Sequence, residues 1–371
     1  MFENKKIKNI SPYTLSTPEA WSFNQDDDVL KLDWNEATIK PSPKVLTKII
    51  KVLNDGKLNW YPNINNTELI NKLSNYNSVK NDQVQYFASS DSLHEYIVRA
   101  FIDDSDRVLS ISPTYDNFRA VAESNGAHVQ FYDLDFNFDL NFDKFHEDLK
   151  LIKPKVVYIV NPNNPTGSIF SSNDLYDLIN KNKNILFIID EAYFEFSNVT
   201  LSSFVSELNN LLISRTFSKA FALASFRIGY LISCSNNIEI INRIRNPKNI
   251  SLFAQEAAIA ALDDIGYTNN YVKSVDIAKT NFINFLKTLD WMNPIEGKGN
   301  FVFIELENIQ IKIDLINYLK TNKIFIRDYG HIEKTKNYIR ITIGNSEQME
   351  IVKSEIINFS KTLNEANYTR P

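Results

Sequence analysis

The stretch Ile213-Ser-Arg-Thr-Phe-Ser-Lys-Ala-Phe-Ala-Leu-Ala-Ser-Phe-Arg227 joins the end of an apolar strand to a basic segment rich in hydroxyl groups. Two hydroxyls, an amine and two guanidinium groups at a buried strand end suit an anionic ligand that can also react with an amine. Lys219 stands among cations and apolar neighbours, which lower the pKa of an amine and so favour Schiff-base chemistry. A solvated basic turn would contain the same residues. The choice between such a turn and a ligand site therefore depends on the rest of the chain.

Length and composition are those of an ordinary globular chain. With 371 residues, it is expected to form one large domain and a smaller one. A net charge of −5 and the lack of a basic block argue against nucleic acid as a partner. The single cysteine, Cys234, excludes an internal disulfide and argues against a cysteine-ligated metal site, so no metal is expected. The polar N-terminus and the absence of a bilayer-length apolar run predict a cytoplasmic protein.

From residue 107 onward, strand-like apolar runs alternate with helical stretches. Strands are predicted at 107–111, 128–132, 156–160, 185–189, around Leu211 and at 228–232, after a short one at 85–88. Apolar strands separated by helices indicate an α/β fold with a mostly parallel sheet covered on both faces. Ligands of such sheets bind at the carboxyl ends of the strands. The polar clusters fall there, at 89–92, 113–115, 161–167, 190–193 and 216–219.

The pattern changes after Asn246-Pro247. Long helices at about 253–262 and 272–289 precede strands at 301–305, 324–327 and 338–343, and a helix follows at 347–363. This pattern predicts a compact α+β unit. The expected division is therefore an N-terminal arm at 1–40 that packs with the small domain, a large domain at 41–246 and a small C-terminal domain at 247–371.

Asp190 and its neighbours suggest a site for a heterocyclic ring. The carboxylate ends a fully apolar strand, where it is costly unless it is paired. A helix cap or a salt bridge would satisfy it, but it would also hold a protonated ring nitrogen. Tyr193 can hydrogen-bond a phenolic oxygen on such a ring, and Asn164, in the rigid turn at 161–167, can face a ligand oxygen. Tyr115 could stack on the ring, although an aromatic residue is more often part of the core.

Other polar residues describe a phosphate cup. It would contain Ser90, Asp91, Ser92, Thr216, Ser218 and Arg227. The first three open a helix whose free N–H groups attract anions, and Arg227 supplies the charged donor. Asp91 on its own would be an ordinary N-cap, and beside a phosphate it would contribute its backbone. With Lys219, the cup and the ring site describe a phosphorylated, protonated, hydroxylated pyridine bound to a lysine, which is pyridoxal phosphate.

Short motifs in a specific order extend this interpretation to a family. They are Asn163-Asn-Pro-Thr-Gly167, Asp190-Glu-Ala-Tyr193, Ser218-Lys-Ala-Phe221 and Arg340-Ile-Thr-Ile-Gly344. Together they resemble fold-type I pyridoxal-phosphate aminotransferases, and most of all the histidinol-phosphate aminotransferases. Ser11-Pro12-Tyr13, Asn35-Glu36 and Tyr61-Pro62 also match, so the resemblance covers essentially the whole chain. It implies the fold of these transferases, with a seven-stranded, mostly parallel sheet in the large domain.

The resemblance also implies a role for each residue at the cofactor. Lys219 would be the Schiff-base lysine and proton shuttle, and Asp190 would contact the pyridine nitrogen. Asn164 and Tyr193 would contact the ring hydroxyl oxygen, with Tyr115 stacked on the ring. The cup residues would hold the phosphate.

Tyr61 is the residue that implies an assembly. In the resembled family, a tyrosine at this position reaches the phosphate of the neighbouring subunit's cofactor, so a homodimer with a shared active site is implied. Two positions depart from the family pattern, because serine stands at Ser89 and Ser225 where the family often has glycine. Both departures put close backbone packing in question, but neither removes a functional group.

Arg340 matches the substrate-anion arginine of the family, and Arg327 and Tyr13 are further candidates for substrate contacts. Arg327 could equally form a surface salt bridge. The leading hypothesis is transfer of an amino group between glutamate, or a similar compound, and a phosphorylated amino alcohol or its carbonyl form, such as histidinol phosphate and imidazole acetol phosphate. A decarboxylase of an O-phosphorylated amino acid and an inactive binding protein on the same scaffold are the alternatives. The sequence leaves the true donor, the acceptor and the pathway open.

Overall fold

The structure is a computed structural model that describes residues 2, 4–8, 10, 11, 19–23 and 28–368. The helices are α1 (Pro43–Asp55), α2 (Thr67–Asn77), α3 (Ser90–Phe101), α4 (Asn117–Ser124), α5 (Phe142–Ile152), α6 (Ser172–Lys181), α7 (Ser235–Asn242), α8 (Leu252–Leu262), α9 (Ile265–Leu286), α10 (Ile309–Thr321) and α11 (Ser346–Tyr368). None of these helices is long and apolar enough to cross a bilayer. The predicted cytoplasmic location stays a prediction.

The strands form one large sheet and two smaller ones. They are β1 (Leu30–Lys31), β2 (Val84–Phe87), β3 (Arg107–Ser112), β4 (His128–Asp133), β5 (Val156–Val160), β6 (Leu186–Asp190), β7 (Leu211–Thr216), β8 (Gly229–Ser233), β9 (Met292–Ile295), β10 (Phe301–Leu306), β11 (Ile324–Phe325), β12 (Arg327–Asp328) and β13 (Tyr338–Thr342). The large sheet has seven strands in the order β2-β8-β7-β6-β5-β3-β4. Strands β7, β6, β5, β3 and β4 are parallel, while β8 runs antiparallel to both of its neighbours. The prediction of a mostly parallel seven-stranded sheet is confirmed.

The central strands of this sheet are buried on both faces because helices cover both sides. Every residue of β5 and β7 is buried, which explains the apolar sequence of β5 and of the first half of β7. Helix α1 differs from the other helices beside the sheet. Val45 and Val52 are buried, while Ile50 is 59% exposed and Leu53 is exposed as well. Helix α1 therefore carries apolar residues on two faces.

The second unit is built on the four-stranded sheet β12-β13-β10-β9, in which all neighbours are antiparallel. Helices α9, α10 and α11 bury their apolar residues in its core. The arm joins this unit through β1, where Leu30 pairs in parallel with Ile324 of β11. Earlier in the arm, Lys6 donates to the Asn125 carbonyl next to α4, at 3.0 Å. Helix α8 packs on α1 and α2, so its buried residues belong to the core of the large sheet. The predicted domain limits stay a prediction.

Candidate active site

A cavity of about 890 Å³ opens at the carboxyl ends of β5, β6 and β7. This is the edge where ligands of parallel sheets bind, and the volume suits a small molecule. Twelve predicted site residues line it, namely Ser90, Asp91, Tyr115, Asn164, Asp190, Tyr193, Thr216, Ser218, Lys219, Arg227, Arg327 and Arg340. Ser92 and Tyr61 do not line it, and Tyr13 lies outside the described residues. The structure thus brings together nearly all of the predicted constellation.

Lys219 follows the end of β7 and lines this cavity. Its Nζ donates to the Trp34 carbonyl oxygen at 2.9 Å. Removal from bulk water and, secondarily, the nearby Arg340 charge lower the pKa of the Lys219 amine to about 8. A substantial fraction of the amine is therefore uncharged just above neutral pH, which is the form that reacts with an aldehyde.

Asp190 ends β6, and the protein supplies several polar contacts to its carboxylate. Oδ2 accepts from the Tyr158 hydroxyl at 2.8 Å, and Oδ1 accepts from the Ala192 N–H at 3.1 Å. The His94 Nε2 lies 3.6 Å from Oδ2. Burial, together with the Asp190 charge, raises the pKa of Tyr158 well above its usual value, so this hydroxyl stays a donor. The sequence interpretation missed Tyr158 and His94, although a tyrosine in a fully buried strand signals a hidden partner for its hydroxyl.

Asn164 and Tyr193 each belong to a polar network that the sequence did not reveal. The Asn164 Oδ1 accepts from the guanidinium of Arg340 and from the Tyr329 hydroxyl at 3.2 Å. The Tyr193 hydroxyl accepts from the Asn35 Nδ2 at 2.9 Å, and burial raises the pKa of Tyr193 above its usual range. Both side chains therefore reach the cavity in fixed orientations.

The predicted phosphate cup is assembled around the N-terminus of α3. Arg227 Nη2 donates to Asp91 Oδ2 at 2.9 Å, and the Tyr115 hydroxyl donates to Asp91 Oδ1 at 3.0 Å. Thr216 Oγ1 donates to Ser218 Oγ at 3.0 Å. Asp91 thus contributes more than the predicted backbone contact, because its side chain links the cup's arginine to the stacking tyrosine.

The backbone of this cup depends on Gly229 and on Ser89. A Cβ on Gly229 would lie 2.6 Å from the Ser90 backbone nitrogen, so glycine lets β8 approach the start of α3. Ser89 has φ +89° and ψ 163°, a conformation that glycine adopts readily and serine does not. The Ser89 Oγ accepts from the Ser92 N–H at 3.1 Å, so Ser92 is occupied in capping the helix. Ser225, the second departure from the family pattern, is exposed.

Arg215 does not join the anion site, which corrects the initial view of two guanidinium groups around Lys219. Alternate residues of a strand face opposite sides of its sheet. Arg215 points away from the cavity and pairs with Glu191, with Nε and Nη2 at 2.9 and 2.7 Å from Oε2. Both side chains are buried. This ion pair ties the end of β7 to the end of β6 behind the site.

Two buried arginines of the small sheet line the cavity. Arg327 and Arg340 occupy directly opposite positions of β12 and β13. Arg340 is 4% exposed and donates through Nη1 to the Tyr329 hydroxyl at 3.0 Å and through Nη2 to the Asp33 carbonyl. Its Nε has no hydrogen-bond partner within the described part of the chain. A buried N–H donor facing a cavity without a partner indicates a ligand acceptor.

Backbone contact between two glycines joins the two units beside Asn164. The Lys298 N–H donates to the Gly167 carbonyl at 2.7 Å, and a Cβ on Gly297 would lie 2.6 Å from the Gly167 carbonyl carbon. Lys279 of α9 holds this loop, because its Nζ donates to the carbonyls of Gly297 and Gly299 at 2.6 and 3.1 Å. Burial lowers the pKa of Lys279 to about 7. The turn that carries Asn164 therefore rests directly on the small unit.

The described residues fit pyridoxal phosphate, although no ligand forms part of the structure. The cavity presents an amine with a lowered pKa, a carboxylate with its own donors and an arginine at a helix N-terminus. It also contains a buried, unpartnered guanidinium N–H. A cofactor with an aldehyde, a basic ring nitrogen and a phosphate, together with an anionic substrate, uses each of these groups. Fold and site together define a pyridoxal-phosphate enzyme of fold type I.

The chain belongs to the family of class I and II aminotransferases, whose model matches residues 27–356. It is 44% identical over 365 residues to a dihydroxyacetone phosphate transaminase of Campylobacter jejuni, covering 97% of this chain and 98% of that protein. A histidinol-phosphate aminotransferase of Ruminiclostridium cellulolyticum is 32% identical over 354 residues, covering 95% and 96%. The crystal structure of histidinol-phosphate aminotransferase from Sinorhizobium meliloti in complex with pyridoxal-5'-phosphate superimposes with a TM-score of 0.89 at 21% identity, covering 98% of each chain. The predicted family, fold, cofactor and aminotransferase activity are thereby confirmed.

Proposed function

We propose that this aminotransferase transfers the amino group of glutamate to a ketone that carries a phosphate ester on the neighbouring carbon. Dihydroxyacetone phosphate is the first candidate, because the relative with 44% identity carries that substrate in its name. Imidazole acetol phosphate, the ketone that corresponds to histidinol phosphate, has the same phosphorylated ketone group and is the second candidate, supported by the relative at 32% identity. The two differ only in the second substituent of the carbonyl carbon.

The observation that carries the proposal is the pair Arg327 and Arg340. Both are buried, and they stand opposite each other on neighbouring strands in the cavity that holds Lys219. Both side chains line the cavity, where a dianionic ligand can accept hydrogen bonds from a guanidinium group. The Arg340 Nε supplies a buried donor for such a ligand. A phosphate fits this requirement, and the carboxylates of glutamate can use the same donors in the other half-reaction.

Three acids of the cavity wall have cationic partners of their own. Asp33 and Glu36 both pair with Lys31, at 2.9 Å in the case of Asp33. Asp91 pairs with Arg227. The cavity also has cationic side chains beside the start of α3 and on β12 and β13. The first position suits a cofactor phosphate and the second suits a substrate anion.

In this proposal, each predicted cofactor residue keeps its role. Bound pyridoxal phosphate supplies an aldehyde for the amino group and a ring that withdraws electrons from the reacting carbon. The Lys219 amine carries the proton at that carbon, and its lowered pKa suits it to both taking and giving a proton. Asp190 favours a protonated ring nitrogen. Asn164 and Tyr193 bind the ring oxygen, while Tyr115 covers the ring.

The five cup residues that line the cavity, Ser90, Asp91, Thr216, Ser218 and Arg227, keep the predicted task of holding the cofactor phosphate, while Ser92 takes part in the cap of α3. Arg227 supplies the charge, and the start of α3 supplies backbone N–H groups. The Asp91 side chain accepts hydrogen bonds from both Arg227 and Tyr115 and so holds these two side chains in place.

We also propose that the enzyme is a homodimer and that Tyr61 completes the partner's site. Seven large apolar residues between positions 46 and 64 are exposed, and we call them the apolar patch: Leu46, Ile50, Leu53, Leu58, Trp60, Tyr61 and Ile64. Tyr61 itself is 76% exposed, and its ring lies 4.8 Å from the Lys248 Nζ. Exposed apolar residues concentrated in one segment are typical of an interaction face. A second copy of this chain is the occupant that also gives Tyr61 a function.

Two half-reactions test the substrate proposal. The enzyme loaded with pyridoxal phosphate is mixed with glutamate, and 2-oxoglutarate is measured per subunit. The washed, aminated enzyme then receives dihydroxyacetone phosphate, imidazole acetol phosphate or unphosphorylated dihydroxyacetone, and aminated products are measured by mass spectrometry. We expect kcat/KM for dihydroxyacetone phosphate to exceed that for dihydroxyacetone by at least about 100-fold, because charge-assisted hydrogen bonds contribute roughly 1.5–3 kcal/mol each. Equal values would refute a phosphate-recognising site.

Variants assign the anion contacts. Arg340→Met should lower kcat/KM in both half-reactions, while Arg327→Met should affect the phosphorylated ketone more than glutamate. Arg243→Met is the matched control, because Arg243 is an exposed arginine at the end of α7 that pairs with Glu239. Unchanged kinetics for Arg340→Met with both substrates would remove that arginine from the proposal.

The decarboxylase alternative has weaker support. The L-threonine-O-3-phosphate decarboxylase of Porphyromonas gingivalis shares the fold with a TM-score of 0.78 at 20% identity, covering 90% of this chain. A likeness at that identity concerns the fold alone. Release of carbon dioxide from O-phosphothreonine, without 2-oxoglutarate from glutamate, would favour this alternative over transamination.

A further inference from the structure

His94 is a polar residue that none of the assigned roles uses. It lies on α3, three residues after Asp91, and its side chain is 0% exposed. Its Nε2 lies 3.1 Å from the Ser214 Oγ and 3.6 Å from Asp190 Oδ2. Its Nδ1 has no partner among residues 28–368 or in the described arm segments. A buried imidazole with one unsatisfied nitrogen is costly, which calls for a physical reason.

The surroundings of His94 fix its orientation. The rings of Phe118 and Tyr158 pack against the imidazole with their planes nearly perpendicular to it. Their centroids lie 5.5 and 5.6 Å from the centroid of the imidazole. These two rings stack on each other at 4.4 Å. The imidazole therefore cannot rotate to bring Nδ1 to Asp190 without displacing this stack, and Nε2 is the nitrogen that faces the carboxylate.

The contacts also select a tautomer. With the proton on Nε2, the imidazole presents an N–H dipole to Ser214 and Asp190 and leaves only an acceptor unpaired at Nδ1. With the proton on Nδ1 alone, a donor would be unpaired and the Nε2 lone pair would face the carboxylate oxygen, which is repulsive. The Nε2–H form is therefore favoured on both counts.

We propose that His94 is a positioning residue for Asp190, whose carboxylate its Nε2–H holds in a fixed orientation, so that Asp190 favours the protonated ring nitrogen of the cofactor. A distance of 3.6 Å is too long for a hydrogen bond, so the interaction is that of a fixed dipole with a charge in a site of low polarity. Tyr158 acts on the same oxygen through a hydrogen bond of 2.8 Å. The inference rests on the proposed role of Asp190, but not on the identity of the substrate.

The test uses the enzyme loaded with pyridoxal phosphate labelled with ¹⁵N in the ring. The ¹⁵N chemical shift reports protonation of that nitrogen directly, without turnover. In His94→Leu we expect the signal to move from the protonated toward the unprotonated position. We also expect the single-turnover rate with glutamate to fall about tenfold, at the low end of the cost of removing a polar partner from a buried charge. His94→Gln retains an N–H near the position of Nε2 and should restore the wild-type shift.

Two controls separate positioning from packing and from the role of Asp190. Ile238→Ala trims a buried residue of the core cluster that contains Phe118 and Tyr158, and it should leave the ¹⁵N shift unchanged. Asp190→Asn should move the shift strongly. An unchanged shift in Asp190→Asn would refute the role of Asp190 itself, whereas a strong effect there with no effect in His94→Leu would refute the inference about His94 alone. An equal effect of Ile238→Ala and His94→Leu would also overturn it.

A measurement on the wild-type enzyme keeps the inference testable if His94→Leu does not fold. Histidine ring nitrogens labelled with ¹⁵N distinguish the two tautomers. The Nε2–H tautomer at His94 is the expected result. The Nδ1–H tautomer would place a lone pair against Asp190 and would overturn the inference.

Discussion

Replacing Lys219 by methionine should stabilise the cofactor-free enzyme at neutral pH. The pKa of the Lys219 amine is about 8 in the folded chain, against 10.5 for an unperturbed lysine. The folded protein therefore disfavours the charged form of the amine, and burying it lowers the free energy of unfolding. This destabilisation is fully present below pH 8 and fades as the pH rises to 10.5. At about 1.4 kcal/mol per pH unit, the difference corresponds to roughly 3 kcal/mol as an upper bound.

Two effects reduce the gain expected from Lys219→Met. The amine faces a cavity that water can enter, so part of the desolvation is screened. The substitution also removes the donor to the Trp34 carbonyl, which costs about 1 kcal/mol. A net gain of about 1–2 kcal/mol at pH 7 remains, and it should vanish by about pH 10.

Urea unfolding of the cofactor-free protein at pH 7 and at pH 9.5–10, at one protein concentration, measures this gain. Lys144→Met is the control, because Lys144 is an exposed lysine of α5 and its replacement should change stability equally at both pH values. A Lys219→Met variant that is no more stable than wild type at pH 7, or whose gain does not depend on pH, would refute the argument that burial destabilises this amine.

Three further substitutions test other parts of the structure. Ser89→Gly should raise the free energy of unfolding by about 1 kcal/mol, since relief of the positive φ outweighs the small cost of exchanging a serine cap for glycine; a loss of stability in urea unfolding would contradict the strain. Glu191→Gln should lower the free energy of unfolding by about 3 kcal/mol, because it leaves the Arg215 charge buried without its partner, and a change within error would mean that Arg215 finds another counter-charge. Ile50→Glu should convert the enzyme to a monomer in analytical ultracentrifugation while its helical circular dichroism is kept; an intact dimer would exclude the apolar patch as the interface.

Much of the fold could be predicted because the central strands have simple sequences. Strands β5 to β7 each contain a continuous apolar run, and this pattern indicates a parallel sheet buried on both faces. Helix α10 shows the limit. Its first residues, Ile309-Gln-Ile-Lys-Ile313, alternate apolar and polar side chains as a strand would, yet they form a helix that Asn308 caps by accepting from the Ile311 N–H. Periodicity in so short a segment does not determine the element, and tertiary contacts decide.

The candidate site was predictable where a residue type has few alternative uses at a strand end. Lys219, Asp190 and Arg227 belong to that group, and the structure brings them to one cavity. His94 could not be found, because its neighbours Ser214 and Asp190 come from strands more than 90 residues away and local sequence carries no sign of them. Arg215 was misjudged for a related reason, since only the packing reveals which face of β7 it occupies and that Glu191 is its partner.

The touching backbones of Gly167 and Gly297 also constrain how this enzyme can be altered. A side chain at either position needs space that the other loop occupies, so neither glycine can be exchanged by itself without moving the turn that carries Asn164. Recombination of this chain with a relative is therefore expected to succeed only when both segments come from the same parent. A crossover between the two positions would combine backbone segments from different parents that do not match each other. The resulting shift would displace Asn164, the residue proposed to contact the ring oxygen of the cofactor.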